Sequence, residues 1–276
     1  MPSPRVFPIR TGLICLLTLS LLGCKRPPDA PAELDDLCSY MVSHYQDKDT
    51  DALVAGLANI EAWLAADSPE EDFQTNFEAT LEGYSVNNLS QETVDGLDDL
   101  QRDLTGLVGA AVGYDSSESV QAITEVMVDA DQMEVYADTY EEYTREFITD
   151  PTCFLDHECE TIEMLNWGKS RYALGIGFES ESSAHMRWVD TDNGMALVHL
   201  TWLTGPAEVS VDWLRVKEQY YLNAMLPDGD ETVRIQATWV IAELGSGSVP
   251  EGFALNQVIK SMQDNGQAVD TYIQAH

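Results

Sequence analysis

Hydrophobic positions recur with two different spacings along the chain, and the change of spacing divides it into two regions. In residues 32–105 the spacing is helical. We predict helices over Glu33 to Gln46, Thr50 to Ala66 and Thr93 to Leu104, the last with Ser90 or Thr93 as its cap. The first of these carries an apolar stripe at i, i+3, i+4 and i+7, formed by Leu34, Leu37, Cys38, Met41 and Tyr45. This region is predicted to be an accessory helical layer.

Residues 106–276 begin with a strand and two helices. Leu107 to Tyr114 is short, apolar and contains glycine, which suits a strand that another backbone approaches closely. Residues 115–118 are typical of a helix start, and helical spacing follows from Val120 to Met127. A second helical segment is predicted from Ala130 to Phe147, with tyrosines at helical spacing.

Alternation with a period of two then predicts an antiparallel sheet. The predicted strands are Arg171 to Glu179, His185 to Asp190, Met195 to Leu203, Glu208 to Trp213, Gln219 to Leu226 and Thr232 to Glu243. Short turns connect neighbouring strands, and this requires antiparallel pairing. The chain ends with a long amphipathic helix from about Glu251 to Gln274, in which Gly266 lies in the apolar stripe and allows close packing on the sheet.

This order of strand, two helices, antiparallel sheet and long final helix resembles the helix-grip fold of the START-like superfamily, which includes polyketide cyclases and lipid-transfer domains. The most specific segment is residues 242–256, which looks like the last strand, glycine-rich turn and proline-led helix of those domains. The resemblance covers residues 106–276 and implies an α+β domain with an apolar cavity between a curved sheet and the helix. The alternative is an antiparallel sheet packed on helices around a solid core.

The first 23 residues have the pattern of a secretory signal. Two arginines precede an apolar run of about a dozen residues, Thr11 to Leu22, which is too short for a transmembrane helix of roughly 20 residues. The run ends in Leu21-Leu22-Gly23-Cys24, which resembles the lipobox of bacterial lipoproteins. That resemblance implies cleavage before Cys24 and acylation of this cysteine. The alternatives are a plain signal peptide with an incidental cysteine and a core helix.

A Pro-rich tether over residues 24–31 follows and would hold the body of the protein away from the bilayer. Lys25, rather than aspartate, follows the cysteine. By resemblance to enterobacterial sorting, this favours the outer membrane. We therefore expect a lipid-anchored envelope protein whose membrane contact is its N-terminal anchor.

Charge narrows the range of partners. The chain has 14 Lys and Arg residues against 48 Asp and Glu residues, a formal net charge of -34. Such an excess repels phosphate backbones, which excludes nucleic acid as a partner.

Three cysteines remain once Cys15 and Cys24 are assigned to the leader and the anchor. In an oxidising envelope Cys153 and Cys159 are the natural disulfide pair. A metal site is the alternative, since His157 lies between them, but the spacing lacks the second ligand pair of a zinc site. Cys38 is expected to be a buried free thiol. No metal or cofactor is predicted.

Chemical motifs are few. The sequence contains no nucleophile elbow, zinc-binding helix motif or phosphate-binding glycine loop. His199 lies within a predicted strand and is either a hydrogen-bonded core residue or part of a polar dyad. A set of aromatic residues either packs in the core or lines a pocket. The candidate ligand-binding residues are Tyr172, Trp188, His199, Trp202, Trp213, Tyr220 and Trp239.

Three functions follow from these patterns. The leading hypothesis is a non-enzymatic envelope lipoprotein that binds an apolar ligand or lipid in the cavity between sheet and helix. The helix-grip order and the small face at Gly175 and Gly177 motivate it. The second is a structural or interaction lipoprotein with a filled core and an acidic surface. The third is a cyclase- or hydrolase-like enzyme, which would need a carboxylate beside His199.

Overall fold

The computed structural model describes residues 29–67, 84–171, 175–245 and 253–276. The predicted leader, the predicted acylation site Cys24 and the candidate ligand residue Tyr172 lie outside the described residues. The described helices are α1 Leu34–His44, α2 Asp51–Asp67, α3 Gln91–Asp95, α4 Val120–Val128, α5 Gln132–Val135, α6 Pro151–Leu155 and α7 Phe253–Ala275. The strands are β1 Tyr84–Ser85, β2 Val108–Ser116, β3 Tyr140–Phe147, β4 Thr161–Arg171, β5 Gly177–Thr191, β6 Gly194–Leu203, β7 Glu208–Val209, β8 Leu214–Asp228 and β9 Glu231–Leu244.

The strands form one antiparallel sheet in the order β1-β2-β9-β8-β6-β5-β4-β3, with β7 paired to β5. Two tight hairpins build its centre: β5–β6 turns at Asp192 and Asn193, and β8–β9 turns around Gly229, whose positive φ of 63° suits glycine. The first strand of the helix-grip region, β2, pairs with the last, β9, beside which α7 packs. The fold is therefore α+β, with an antiparallel sheet and a long C-terminal helix, as the sequence predicted.

Helices cover both faces of the sheet. The outer face is the one that shares a core with α1 and α2, through side chains such as Trp239, Tyr220 and Leu222. The inner face packs against α4, α6 and α7, with Met186, Met225 and Val112 among its apolar residues. Burial of large apolar side chains on the outer face anchors the N-terminal helices to the sheet.

Because helices cover both faces of the sheet, two of the three arginines of β5, β8 and β9 are buried. Arg187 and Arg234 are buried, whereas Arg215 is exposed. Arg187 donates to Glu160 and to the backbone carbonyls of Tyr45 and Asp47 just after α1. Alternation showed correctly that these residues face away from the apolar side of their strands, but it could not show that helices cover the other side as well.

Two predicted helices were wrong. The segment Ala130 to Phe147 contains only the short α5, and residues 140–147 form the edge strand β3 against β4. Its tyrosines satisfied helical spacing, but the chain there is rich in aromatic and β-branched residues, which favour strands. The helix predicted from Thr93 to Leu104 ends at Asp95. Beyond it, the Asp98 and Asp103 carboxylates accept hydrogen bonds from the backbone N–H groups two residues on, which favours turns over helix.

Strand boundaries also differ from the predictions. Residues 161–171 form β4, which was missed. The predicted strand Arg171 to Glu179 was wrong, since it joins the end of β4 to the start of β5, and β5 runs from Gly177 through the predicted strand His185 to Asp190. β8 is longer than predicted because polar residues interrupt its apolar alternation. The predicted strand Glu208 to Trp213 is reduced to the two residues of β7. The two apolar helices α1 and α2, the hairpin strands β6 and β9, and α7 lie where the pattern placed them.

Gly266 allows α7 to lie against the sheet. A Cβ added there would be 2.1 Å from the Tyr114 hydroxyl oxygen, so the phenol of β2 occupies the space that a side chain would need. The prediction of close packing at this glycine is confirmed.

Cys153 and Cys159 form a disulfide with their Cα atoms 5.3 Å apart, as predicted. Trp188 of β5 holds this loop, because its indole N–H donates to the Phe154 carbonyl and its ring stacks on Phe154. Cys38 is a buried free thiol, and burial raises its pKa to about 12.

Candidate functional site

A cavity of about 240 Å³ lies between the inner face of the sheet and α7. Its apolar wall includes Met127, Met186 and Met262, and its polar wall includes Arg145, His199 and Arg234. Strands β3 to β6, β8 and β9 contribute the sheet side, and Gly266 of α7 borders the opposite side. The close approach of α7 at Gly266 therefore also shapes this cavity.

Three polar side chains form a row across the centre of the sheet beside this cavity. His199 on β6 is directly opposite Asn223 on β8, which is directly opposite Gln236 on β9. All three are buried, and Asn223 is 0% exposed. Neither the amide nitrogen nor the oxygen of Asn223 has a hydrogen-bond partner among the described protein groups. A buried amide without partners costs about 1–3 kcal/mol, so this row is an expensive feature of the core.

Gln236 organises one end of the row. With its amide oriented to satisfy its neighbours, the oxygen accepts from Tyr114 Oη at 2.9 Å, Tyr221 Oη at 3.0 Å and Arg234 Nη2 at 3.3 Å. Its nitrogen donates to the Met262 carbonyl of α7 at 3.3 Å. Gln236 thereby connects the sheet to α7 and fixes two phenols at the cavity.

Arg234 is the most deeply buried cation at the cavity, with 2% of its surface exposed. Its guanidinium carbon lies 4.7 Å from the centre of the Tyr114 ring. The nearest carboxylate oxygen, from Asp270 of α7, is 3.9 Å from Nη1, which is beyond hydrogen-bond distance. Its Nε and Nη1 atoms donate no hydrogen bond to any described protein group. Two buried charged donors therefore remain for a further acceptor.

Arg145 of β3 is a second cation at the cavity and is held without a carboxylate. Its Nη1 donates to the carbonyls of Met127 and Asp129 at the end of α4, at 2.6 and 2.8 Å. Its Nε donates to Asn166 Oδ1 and its Nη2 to Tyr143 Oη. The carbonyls at a helix C-terminus carry partial negative charge, so this position suits a cation. Arg145 is well hydrogen bonded, yet its charge is not cancelled by an ion pair within the described residues.

The pKa of His199 reflects its burial and the positive charges around it. Burial, together with the charges of Arg145, Arg234 and His185, lowers its pKa to about 3; no carboxylate is among the causes. Its Nε2 is 2.8 Å from Thr201 Oγ1, and its Nδ1 has no partner among the described protein groups. His199 is therefore a neutral imidazole at neutral pH, and its hydrogen-bond partner is a hydroxyl instead of a carboxylate.

Tyrosines complete the polar wall. Burial raises the pKa of Tyr114, Tyr143 and Tyr221, and raises that of Tyr136 to about 12, while the nearby arginines oppose the shift. These phenols stay protonated at neutral pH and supply hydroxyl donors.

The structure separates the aromatic residues that the sequence grouped as candidates. His199 and Trp202 border the cavity. Tyr220 and Trp239 lie in the outer-face core beneath α1 and α2. The Trp202 indole also belongs to that core and donates a hydrogen bond to Asp98 there. Trp188 packs on the disulfide loop and Trp213 belongs to a separate small cluster.

Arg145, Asn223, Arg234 and Gln236 were not among the candidates. Arg234 and Gln236 carried a signal, since they alternate with the apolar positions of β9, whereas Arg145 was hidden by the incorrect helix prediction. Gly175 and Gly177 were expected to form the small face of the cavity, but they lie away from it. Gly175 adopts a positive φ of 73° and Gly177 faces Ser210.

The described residues contain neither a metal-binding cluster nor a membrane-spanning helix. Within the described ranges, no group of three or more His, Cys, Asp or Glu side chains could hold a metal ion. Asp98 forms an ion pair with Arg102, with 2.6 Å between Oδ2 and Nη2. No helix in the described part of the chain is long and apolar enough to cross a membrane.

Comparisons with known proteins give structural similarity only. No family model and no curated protein matches the sequence. Similar solved structures include a START superfamily protein from Mycobacterium smegmatis, with 11% identity, 60% of this chain and 97% of that chain covered, and a TM-score of 0.38. A STAR-related lipid transfer protein from Xanthomonas axonopodis has 12% identity, with 63% of this chain and 97% of that chain covered and a TM-score of 0.39. A norcoclaurine synthase from Thalictrum has 14% identity, with 62% of this chain and 96% of that chain covered and a TM-score of 0.37. The helix-grip description of this chain stands on its own strand order and final helix.

Proposed function

We propose that this protein is an envelope-anchored lipoprotein that binds a small molecule reversibly in the cavity between its sheet and α7. The observation that carries the binding proposal is the set of buried polar atoms without protein partners beside that cavity: His199 Nδ1, both amide atoms of Asn223, and two nitrogens of Arg234. A ligand with oxygen acceptors would supply partners for the Arg234 nitrogens and the Asn223 amide nitrogen, and a hydroxyl on it would donate to Asn223 Oδ1.

The size of the cavity limits the ligand. Drug-sized molecules occupy pockets of roughly 300–1,000 Å³. At about 240 Å³ the cavity suits a smaller molecule and is too small for a two-chain lipid. The apolar wall adds hydrophobic contact, so the proposed ligand is a small amphipathic molecule.

The proposal is non-catalytic because of the surroundings of His199. A general base needs an orienting acceptor and a pKa near the working pH. This imidazole has Thr201 as its partner and a pKa of about 3, which suits a fixed hydrogen-bonding group.

The lipoprotein part of the proposal rests on the lipobox-like residues 21–24 and the arginines that precede them. Radiolabelled palmitate should be incorporated into the wild-type chain and not into the Cys24→Ala variant. Incorporation that persists in the variant would overturn anchoring through this cysteine.

Native mass spectrometry tests the binding part. The full chain should carry an additional mass of about one to three hundred daltons that organic solvent removes. The Ser182→Trp variant fills the cavity, which Ser182 borders, and should lose this mass. Glu181→Trp is the matched control, because Glu181 is an exposed neighbour on the same strand and its substitution should leave the mass in place. A wild-type chain without bound mass, and without thermal stabilisation by any small amphipath, would overturn the proposal.

A further inference from the structure

The interior of the cavity has the opposite charge from the rest of the molecule. The chain as a whole carries a net charge of -34. The residues that border the cavity, however, include two guanidinium groups, Arg145 and Arg234, and no carboxylate; the carboxylate nearest to Arg234 in the described residues is Asp270 of α7. With 48 acidic side chains in the sequence, pairing these cations with carboxylates would have been easy. Buried cations without a close counter-ion are costly, and an anion supplied from outside removes that cost.

Asp270 compensates the charge of Arg234 only in part. Its Oδ1 accepts a hydrogen bond from Ser116 Oγ at 2.8 Å, and burial raises its pKa. It stays 3.9 Å from Arg234 Nη1, and no closer carboxylate approaches Arg234 in the described residues. The guanidinium is held in place by the Tyr114 ring and the Gln236 oxygen, both of which leave Nε and Nη1 without acceptors.

The donors around Arg234 match an oxyanion. The Tyr136 phenol is neutral and borders the same cavity, and the neutral imidazole of His199 adds a ring nitrogen without a partner, whereas the Tyr143 hydroxyl already donates to Asn166 Oδ1. Guanidinium groups bind carboxylate and phosphate through charge-assisted hydrogen bonds, which are about twice as strong as neutral ones. The methionine side chains opposite leave room for an apolar body.

We propose that the ligand is a small amphipathic anion whose carboxylate, or chemically equivalent phosphate, binds Arg234 inside the cavity while its apolar part packs on the methionines. This inference rests on the binding function proposed above and specifies its ligand class. Arg234 is the recognition residue, and Arg145 contributes positive potential without giving up its own hydrogen bonds.

Isothermal titration of the full chain with three eight-carbon probes tests the inference: octanoate, octan-1-ol and octyl phosphate. Each probe has eight carbon atoms, and octanoate has one alkyl carbon fewer than the other two, so tighter binding of either anion than of the alcohol reflects its head group. We expect at least one of the two anions to bind about tenfold more tightly than the alcohol, the difference that one charge-assisted contact provides. The stronger of the two identifies the head group as carboxylate or phosphate.

Variants then assign the preference to Arg234. Arg234→Met should abolish the preference for the anion, and Arg234→Lys should retain part of it, because the charge remains but the guanidinium geometry is lost. Arg215→Met removes an exposed arginine from the same sheet and should leave the preference unchanged. If Arg234→Met does not fold, the lysine variant and the wild-type probe series still decide the question.

The two proposals fail in different ways. Octan-1-ol binding as tightly as both anions, or a neutral molecule recovered from the purified protein, would overturn the anionic ligand while binding itself stands. A chain that binds none of the probes and carries no extractable mass would overturn both.

Discussion

The contact between Tyr114 and Gly266 shows how single residues fix this fold. Tyr114 of β2 takes up the space beneath Gly266 of α7 and also hydrogen bonds Gln236. The helix therefore lies where a tyrosine and a missing side chain together place it. This arrangement makes the glycine more valuable than its poor helix propensity suggests.

Substituting Gly266 by alanine should destabilise the protein. Alanine gains about 1 kcal/mol in helix propensity. The new Cβ would, however, be 2.1 Å from Tyr114 Oη and 2.4 Å from Cζ of a buried ring, and overpacking of this kind costs about 1–3 kcal/mol or more. We expect urea denaturation to show a net loss. Gln267→Ala, at the exposed neighbouring position, should be neutral or slightly stabilising, and a stabilised Gly266→Ala would show that α7 moves freely.

His199 should make stability depend on pH. Its pKa is about 3 when folded and about 6.5 when unfolded, so the unfolded chain binds more protons between these values. The free energy of unfolding should therefore fall as pH decreases from about 6.5 towards 3, by up to about 1.4 kcal/mol per pH unit from this group. Subtracting the curve of the His199→Gln variant isolates this contribution. Superimposable pH profiles of the two proteins would contradict it.

At the level of elements, buried arginines connect parts of the chain that are distant in sequence. Arg187 of β5 reaches the carbonyls after α1, 142 residues away for Tyr45, and Glu160 beside the disulfide. One side chain thus joins the N-terminal helices, the sheet and the cysteine loop. Hydrogen bonds of this kind are directional, so they fix the position of α1 more sharply than the apolar contacts alone.

Replacing Arg187 by methionine should cost about 3 kcal/mol, since two carbonyls lose their charged donor in a buried site. Methionine keeps most of the side-chain volume, so the loss reflects the hydrogen bonds. Thermal denaturation with Arg215→Met as the control measures the effect. Equal stability of the two variants would mean that α1 is held by its apolar face only.

The elements show what sequence patterns reveal. Apolar stripes located α1, α2 and α7, and alternation located β9, because the apolar residues of each of these elements lie mainly on one face. β6 was located by its high content of apolar residues, which lie on both faces. β3 was assigned to a helix, and β4 was missed, because edge strands and polar inner faces do not alternate cleanly. The cavity residues escaped for a related reason: Arg234 and Gln236 have the polarity of a surface, and only the position of α7 shows that they are inside.

For the whole molecule, self-repulsion is the main consequence of the net charge of -34. Like charges at this density oppose the compact state, and salt screens them over about 10 Å at 0.1 M. We expect the melting temperature to rise by several degrees between low salt and about 0.5 M sodium chloride. Sucrose of equal osmolality is the control for non-ionic effects, and a melting temperature independent of salt would contradict this explanation.

In the described part of the chain, β3 forms one edge of the sheet, and a second copy of the protein could pair with it. Both faces lie beneath helices, so another strand has access mainly to β3, the eight-residue strand at one end of the strand order. Exposed glutamates occupy three of its positions, Glu141, Glu142 and Glu146. A second copy adding its own β3 would bring glutamates against glutamates, and charged edges of this kind discourage strand addition. The charged edge therefore opposes aggregation. Replacing these three glutamates with neutral residues would allow β3 to pair with a strand of another molecule.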